Sequence, residues 1–313
     1  ETASDDSEDT VLWVDDASKD DTVAPDEYLI ASYGADYDVE GMVRRINRGD
    51  VFIPPFQRQF MWNMQEASRF VESLLLGLPV PGVFLATDPS SGKMLVIDGQ
   101  QRLRTLEFFY GGLFNPAPSD KEHKVFQLSK VQARFDQRTY KTLEEKDRVK
   151  LDNAIIHATI VKQESPRDDD TSIYHIFERL NNGGRRLAAQ EIRSALYHGP
   201  LVSMLAAMNE NEVWRRVFGK TSKRQKDQEF LLRFLALHHF SDKYEKPMNE
   251  FLNKFAGTNR NAPRNQIVRW EQLITMTLEL VDRVWGPTAF RLGGPINAAM
   301  FDSVMVGLAH RLQ

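Results

Sequence analysis

The sequence predicts an α+β protein, with a mixed sheet-and-helix core followed by a mainly α-helical C-terminal portion. Three observations carry this. Short runs of β-branched and aromatic residues, the marks of strands, cluster before residue 165. From Pro200 onward nearly every segment places its apolar residues at helical spacing, including Asp227 to Phe240, Arg264 to Val284 and Ala299 to Arg311. Strands and helices are thus segregated along the chain, which excludes a doubly wound parallel sheet. At 313 residues the chain suits one large domain or two packed subdomains. The expected division is an acidic arm over 1–35, a core over 36–165 and a helical subdomain over 166–313, with no internal repeat.

Each element has its own signal. Residues 1 to about 35 read as a tail, with Val11-Leu12-Trp13-Val14 as a candidate docking segment. Val39, Met42, Val43 and Ile46 predict a helix over Asp38 to Gly49. Val51-Phe52-Ile53 predicts a strand stopped by Pro54-Pro55. Asn63 to Gly77 is a helix with Asn63 and Glu66 as a capping box and Gly77 as C-terminal cap. Val83 to Ala86 and Met94 to Ile97 form a hairpin, and a helix follows over Leu103 to Tyr110, stopped by Gly111-Gly112. Val125 to Leu128 and Ile155 to Val161 read as further strands, and Thr171 to Leu180 and Ala188 to Tyr197 as helices joined by a turn at Asn181 to Gly184.

Composition narrows the function classes. No apolar run approaches the roughly 18–20 residues that span a bilayer, so no membrane partner is expected. The first 27 residues lack the apolar region of a signal peptide, and the chain opens on Glu rather than Met, as a trimmed protein does. Cysteine is absent, which excludes disulfides, thiolate nucleophiles and cysteine-ligated zinc and fits a cytoplasmic protein. Residues 1–27 carry eleven acidic side chains against Lys19 alone, a net −10 that leaves +6 for residues 28–313 out of the total of −4. An acidic arm on a basic body suits a nucleic-acid binder only weakly, and its composition favours a solvated tail. No Walker motif, dinucleotide fingerprint or nucleophile elbow occurs. The seven histidines form no His-x-x-x-His or Glu-x-x-His pair, and His238 and His239 are expected to point apart on their helix.

The densest chemistry lies in Asp98-Gly99-Gln100-Gln101-Arg102, between the strand residues Val96-Ile97 and the following helix. A helix N-terminus offers free backbone N–H groups and a positive dipole end. Arg102 can grip phosphate oxygens, Gly99 lets the backbone approach a ligand, and Asp98 can hold Mg²⁺ or polarise water. Gln100 or Gln101 can orient that water. The alternative is a structural turn whose Asp98 caps the helix. In Ile53 to Trp62, aromatics at 56, 60 and 62 interleave with Gln57, Arg58 and Gln59, as in a base-stacking site or a loop pinned to the core. The Gly183-Gly184 pair sits among Arg179, Arg185, Arg186 and Arg193, which suits ligand contact or a plain helix–turn–helix connection. Arg215, Arg216, Lys220, Lys223, Arg224 and Lys226 form a basic run that suits nucleic-acid backbone or an exposed charged loop.

Taken together, Ile53 to Trp62, Glu72 to Pro81, Val96 to Leu106 and Phe177 to Gly184 with Gln190-Glu191-Ile192-Arg193 resemble the DGQQR-motif domain. That domain opens GmrSD-type modification-dependent restriction enzymes and related phage-defence proteins. The resemblance covers roughly residues 35 to 255 and implies the fold of ParB and sulfiredoxin, elaborated by helices. It implies binding and hydrolysis of GTP or ATP with Mg²⁺ at Asp98, Gly99, Gln100, Gln101 and Arg102, with Gln57 and Arg58 lining the same pocket. It also implies recognition of DNA, foreign or modified, for which Arg185, Arg186, Arg215, Arg216, Lys220, Lys223 and Arg224 are the candidate contacts. Phe56 stands where the family commonly has tyrosine. The His-Asn-His nuclease cluster of full-length relatives does not occur, so a partner nuclease or a further domain is expected to supply cleavage. Two other functions fit the same residues: a non-catalytic DNA-reading or partner-binding module, and a metal-dependent DNA nickase.

Overall fold

The computed structural model describes residues 13–14, 29–54, 60–88, 91–116, 124–165, 171–180 and 187–312. They form two compact units. One holds the described residues of 28–167 and 175–184 and is built on a sheet; the other holds those of 1–27, 168–174 and 185–313 and is mainly helical. The α+β class read from the sequence is the class of the molecule.

Trp13–Val14 (β1) is the first described element and lies in the helical unit, paired in parallel with Ile296–Asn297. The candidate docking segment thus adds a short strand there. The sheet unit begins with Leu29–Asp38 (β2), a ten-residue strand lying antiparallel to Ile155–Ser165 (β6). This corrects the expectation of a tail up to about residue 35. The strand lies at the sheet edge with most side chains exposed, so it has no apolar alternation for a sequence reading to detect.

Helix α1 (Val39–Arg48) follows, with the Asp38 carboxylate accepting from the Gly41 N–H at 2.6 Å. Its buried face is Val39, Met42, Val43 and Ile46, each worth about 1.5–3 kcal/mol of apolar burial. Val51–Phe52 (β3) pairs in parallel with Met94–Asp98 (β5). Helix α2 (Met64–Leu76) has the expected capping box of Asn63 and Glu66, and Gly77 ends it at φ 77°. Val83–Thr87 (β4) lies antiparallel to β5 and parallel to β6. The sheet order is β2-β6-β4-β5-β3.

Helix α3 (Gln100–Gly111) starts three residues before the expected Leu103, which places Gln100, Gln101 and Arg102 in its first turn. Its Leu103, Leu106 and Phe109 enter one core with Val39 and Met42 of α1 and Val71 and Leu75 of α2. Val125 to Leu128 is not a strand. Val125 makes a single bridge to Leu113, while Phe126 and Leu128 anchor a looping backbone in the core. The two buried side chains gave the alternation of a strand without its ladder. Below α3, Tyr110 and Tyr140 stack at 4.1 Å and both donate to the Asp152 carboxylate, beside helix α4 (Glu145–Asp152).

Helix α5 (Thr171–Leu180) contributes residues to both units. The helical unit then comprises α6 (Ala189–Leu196), α7 (Pro200–Asn209), α8 (Glu212–Phe218), α9 (Lys226–Phe240), α10 (Met248–Asn259), α11 (Arg264–Trp285), β7 (Ile296–Asn297) and α12 (Ala298–Leu312). Trp214, Phe218, Phe230 and Phe301 make its aromatic centre, with ring centroids 4.9–6.0 Å apart. Among the described residues no helix is long and apolar enough to cross a membrane.

Candidate functional site

β5 ends at Asp98, and the chain reverses at Gly99, whose φ of 98° is the left-handed conformation that suits glycine. Sterics impose glycine a second time. A Cβ at this position would lie 2.5 Å from Val83 Cγ1 and 3.0 Å from Val83 Cβ on the neighbouring strand. The turn is therefore pressed onto β4, and α3 begins with its first turn beside Asp98.

The Asp98 side chain does not cap this helix. The cap position is Gly99 and no side-chain bond is made there, so the capping alternative is set aside. Asp98 Oδ2 instead accepts from Arg102 Nη2 at 2.9 Å, one helical turn on. The two sit differently: the Asp98 side chain is 49% exposed and the Arg102 side chain 15%. Solvent, or a ligand, can reach the carboxylate, while the guanidinium is held in place behind it.

The glutamines differ in role. Gln101 Oε1 accepts from the backbone N–H of Met61 at 2.9 Å and of Trp62 at 3.2 Å, so this oxygen is engaged in scaffolding. Gln100 opens the helix half-buried. Arg104, which the sequence reading passed over, ion-pairs with Glu107 at 2.7 Å and donates to the Ile53 carbonyl at 3.3 Å. Ile53 and Met61 flank the segment containing Gln57 and Arg58. Ile53 and Met61 themselves are thus both tied to side chains of α3. Gln57 and Arg58 themselves lie outside the described residues, as does Phe56. Arg104 stands three residues after Gln101, on the same helix face, and that spacing was the available signal.

Phe60 packs edge-on against Phe108 at 5.1 Å and Phe114 at 5.6 Å, and Trp62 lies 5.6 Å from Phe70. These two aromatics of the first motif pin the chain to the core.

The remaining candidates fall in the helical unit. Arg185 and Arg186 lie outside the described residues, as does the turn expected at Asn181 to Gly184. Arg193 is fully buried: it donates to Asn253, Gln190 and Asn249 and forms a 3.0 Å ion pair with Glu229. It is the hub of a buried polar network and not a surface contact. Burial alone would raise the Glu229 carboxyl, but Lys226 and then Arg193 outweigh it and pull the pKa down to about 2. The basic run is largely neutralised. Arg215 pairs with Asp227 at 3.1 Å, Arg216 with Asp282 at 2.8 Å, Arg224 with Glu191 at 3.4 Å, and Lys226 with Glu229. Lys220 and Lys223 are exposed. His238 and His239 do not point apart: their ring centroids are 4.7 Å apart, and His310 of α12 lies 4.5 Å from His238.

Asp98 alone offers a carboxylate at the turn, and among the described residues no group of three His, Asp or Glu side chains gathers into a metal cage. A lone carboxylate of this kind would hold Mg²⁺ only together with substrate phosphates.

An α+β unit in which the interior strand β5 ends in an acid, turns through a glycine and enters a helix on Gln-Gln-Arg defines a class of strand–turn–helix proteins. The chain belongs to the family of the GmrSD restriction endonuclease N-terminal domain, whose profile matches residues 39–198, just over half its length. No curated protein sequence matches it.

Proposed function

We propose that the chain is a component of a restriction system directed against phage and acts there as a DNA-associated nucleoside triphosphatase. The family's description supports the restriction role. The observation that carries the nucleotide reading is the turn itself, where a solvent-open Asp98 stands beside a largely buried Arg102 at a helix N-terminus. Asp98 would hold Mg²⁺ together with the phosphates of GTP or ATP, the metal supplying charge neutralisation. Gly99 lets the backbone approach the phosphates, and Arg102 would bind a phosphate oxygen. Gln100 orients the attacking water. Gln101 is a positioning residue, since its oxygen holds the Met61–Trp62 backbone. Gln57 and Arg58 are the further residues proposed to line the same pocket. The proposed compartment is the cytoplasm, and a partner nuclease or a further domain makes the cut.

One observation favours a second reading. The Asp98–Arg102 ion pair lets the turn satisfy its own charges, as a non-catalytic DNA-reading module would. Phosphate release from GTP and from ATP separates the two, measured with Mg²⁺, with and without modified DNA. Turnover that is lost in Asp98→Asn and Arg102→Gln, with circular dichroism unchanged, supports the hydrolase. DNA binding without turnover under every condition selects the module instead.

A further inference from the structure

We infer that helix α1 carries the face that grips the DNA backbone, through Arg44, Arg45 and Arg48. This rests on the reading that the chain engages DNA, and it assigns a site the basic-run candidates do not include.

The helix is built to present these residues. Burial of Val39, Met42, Val43 and Ile46 turns the opposite face to solvent, and Arg44, Arg45 and Arg48 occupy it. They border an open cleft of about 500 Å³ together with Tyr37 and three carboxylates, Asp36, Asp38 and Asp50. None of the three makes an ion pair among the described residues, whereas Arg215, Arg216 and Arg224 each hold a carboxylate. Glu40 stands four residues before Arg44, the spacing at which helix ion pairs form, yet no bond closes.

Two of the three carboxylates lining the cleft are hydrogen-bonded elsewhere. Asp38 caps α1 through the Gly41 N–H, and Asp36 lies 2.8 Å from His157 Nδ1. These bonds hold the two carboxylates away from the guanidinium groups without removing their charge, and Asp50 completes the acidic side of the lining. Basic residues in a last helical turn do favour the dipole. That accounts for Arg45 and Arg48 in part, but not for Arg44 or for a cleft beside all three.

The geometry suits a nucleic-acid strand better than a compact anion. Arg44 and Arg48 are separated by about 6 Å along the helix axis, so long side chains can reach successive phosphates. The Arg45 guanidinium already lies over the Tyr37 ring at 5.2 Å, a flat cationic surface beside the cleft.

The test uses the full chain and its Arg44→Gln/Arg45→Gln/Arg48→Gln variant, glutamine keeping helix propensity. Fluorescence anisotropy with a labelled duplex of about 30 base pairs is followed from about 50 to 200 mM salt. Losing three phosphate contacts should flatten the log–log salt slope by about 2.7, so that the affinity lost across this range shrinks roughly 40-fold. Unchanged circular dichroism and melting temperature should accompany the loss. A variant that binds DNA with the wild-type slope overturns the assignment to α1 while leaving DNA association standing. Wild-type protein that binds no DNA overturns both. A variant that keeps DNA binding but loses affinity for free GTP would make the cleft a nucleotide pocket, and that too overturns the inference.

Discussion

Replacing Gly99 by alanine should cost more than any other single methyl added to the turn. Two penalties add. A residue with a Cβ held at φ 98° pays about 1–2 kcal/mol for the left-handed conformation. The new methyl would also stand 2.5 Å from Val83 Cγ1, where carbon atoms ordinarily rest about 3.5–4.0 Å apart. Val83 is 1% exposed in the middle of the sheet core and cannot swing away, so overpacking adds about 1–3 kcal/mol. The expected total is about 2–5 kcal/mol, read as the shift of the urea midpoint at constant slope. Gly99→Ala combined with Val83→Ala removes the overlap but keeps the backbone penalty. The pair should therefore lose less than the sum of the single changes, by about 1 kcal/mol or more. A Gly99→Ala protein within about 0.5 kcal/mol of wild type, or strict additivity in the cycle, would refute the claim that the turn is pressed against β4.

Other substitutions test the remaining contacts. Gln101→Ala should raise hydrogen exchange at the Met61 and Trp62 amides and lower stability by about 1–2 kcal/mol, while Gln101→Glu, which keeps an acceptor oxygen, preserves protection. Equal exchange in wild type and Gln101→Ala would deny the clamp. Arg193→Met strands Gln190, Asn249 and Asn253 around an emptied site and should destabilise the helical unit by about 3–5 kcal/mol in thermal melts; a loss below about 1 kcal/mol would show the network to be dispensable. The His238 cluster sets an acid limit. Burial, with His239 and His310 beside it, lowers the His238 pKa from 6.5 to about 4. The unfolded chain therefore binds the extra proton between those values. Stability is full above pH 6.5 and falls by up to about 3 kcal/mol as pH drops toward 4, a loss that His238→Leu should remove. Glu229 acts lower, its contribution disappearing as pH falls from 4.5 toward about 2. Urea midpoints that coincide for wild type and His238→Leu from pH 7.5 to 4.5 would contradict the assignment.

Local order was legible wherever one residue type did one local job. Asn63 with Glu66, Gly77, and the buried stripe of α1 all act within a turn or two of sequence, and each predicted its element. The Asp98 to Arg102 turn was legible as a strand–turn–helix for the same reason. What escaped depended on partners remote in sequence. β2 is a strand because β6 lies beside it, not because of its own pattern. Gln101 could be read as a water-orienting residue because nothing local reveals that Met61 and Trp62, some forty positions earlier, occupy its oxygen. Charge density misled in the same way. The run from Arg215 to Lys226 is dense in sequence, yet Glu191 and Asp282 reach it from other helices and Asp227, the residue just after it, folds back onto Arg215. The shorter Arg44-Arg45…Arg48 cluster is inconspicuous in sequence, and among the described residues none of its members closes an ion pair.

The two proposed sites share one core, and this sets a further expectation. α1 and α3 bury Met42, Leu103 and Leu106 in the same apolar cluster, with Val39 and Val71 among them. Interiors packed this closely transmit displacement instead of absorbing it. Nucleotide drawing Arg102 away from Asp98 would act on the first turn of α3, and α1 is the next element across the packing. DNA affinity should therefore change when GTP or ATP binds, by a factor within the usual range of about 5–150. Linkage then requires DNA to change nucleotide affinity by the same factor. Anisotropy titrations of DNA at saturating non-hydrolysable nucleotide, and of nucleotide at saturating DNA, measure that factor from both sides. A DNA affinity indifferent to nucleotide would mean that the two surfaces work independently, and the turn would then have no means of reporting its occupancy to α1.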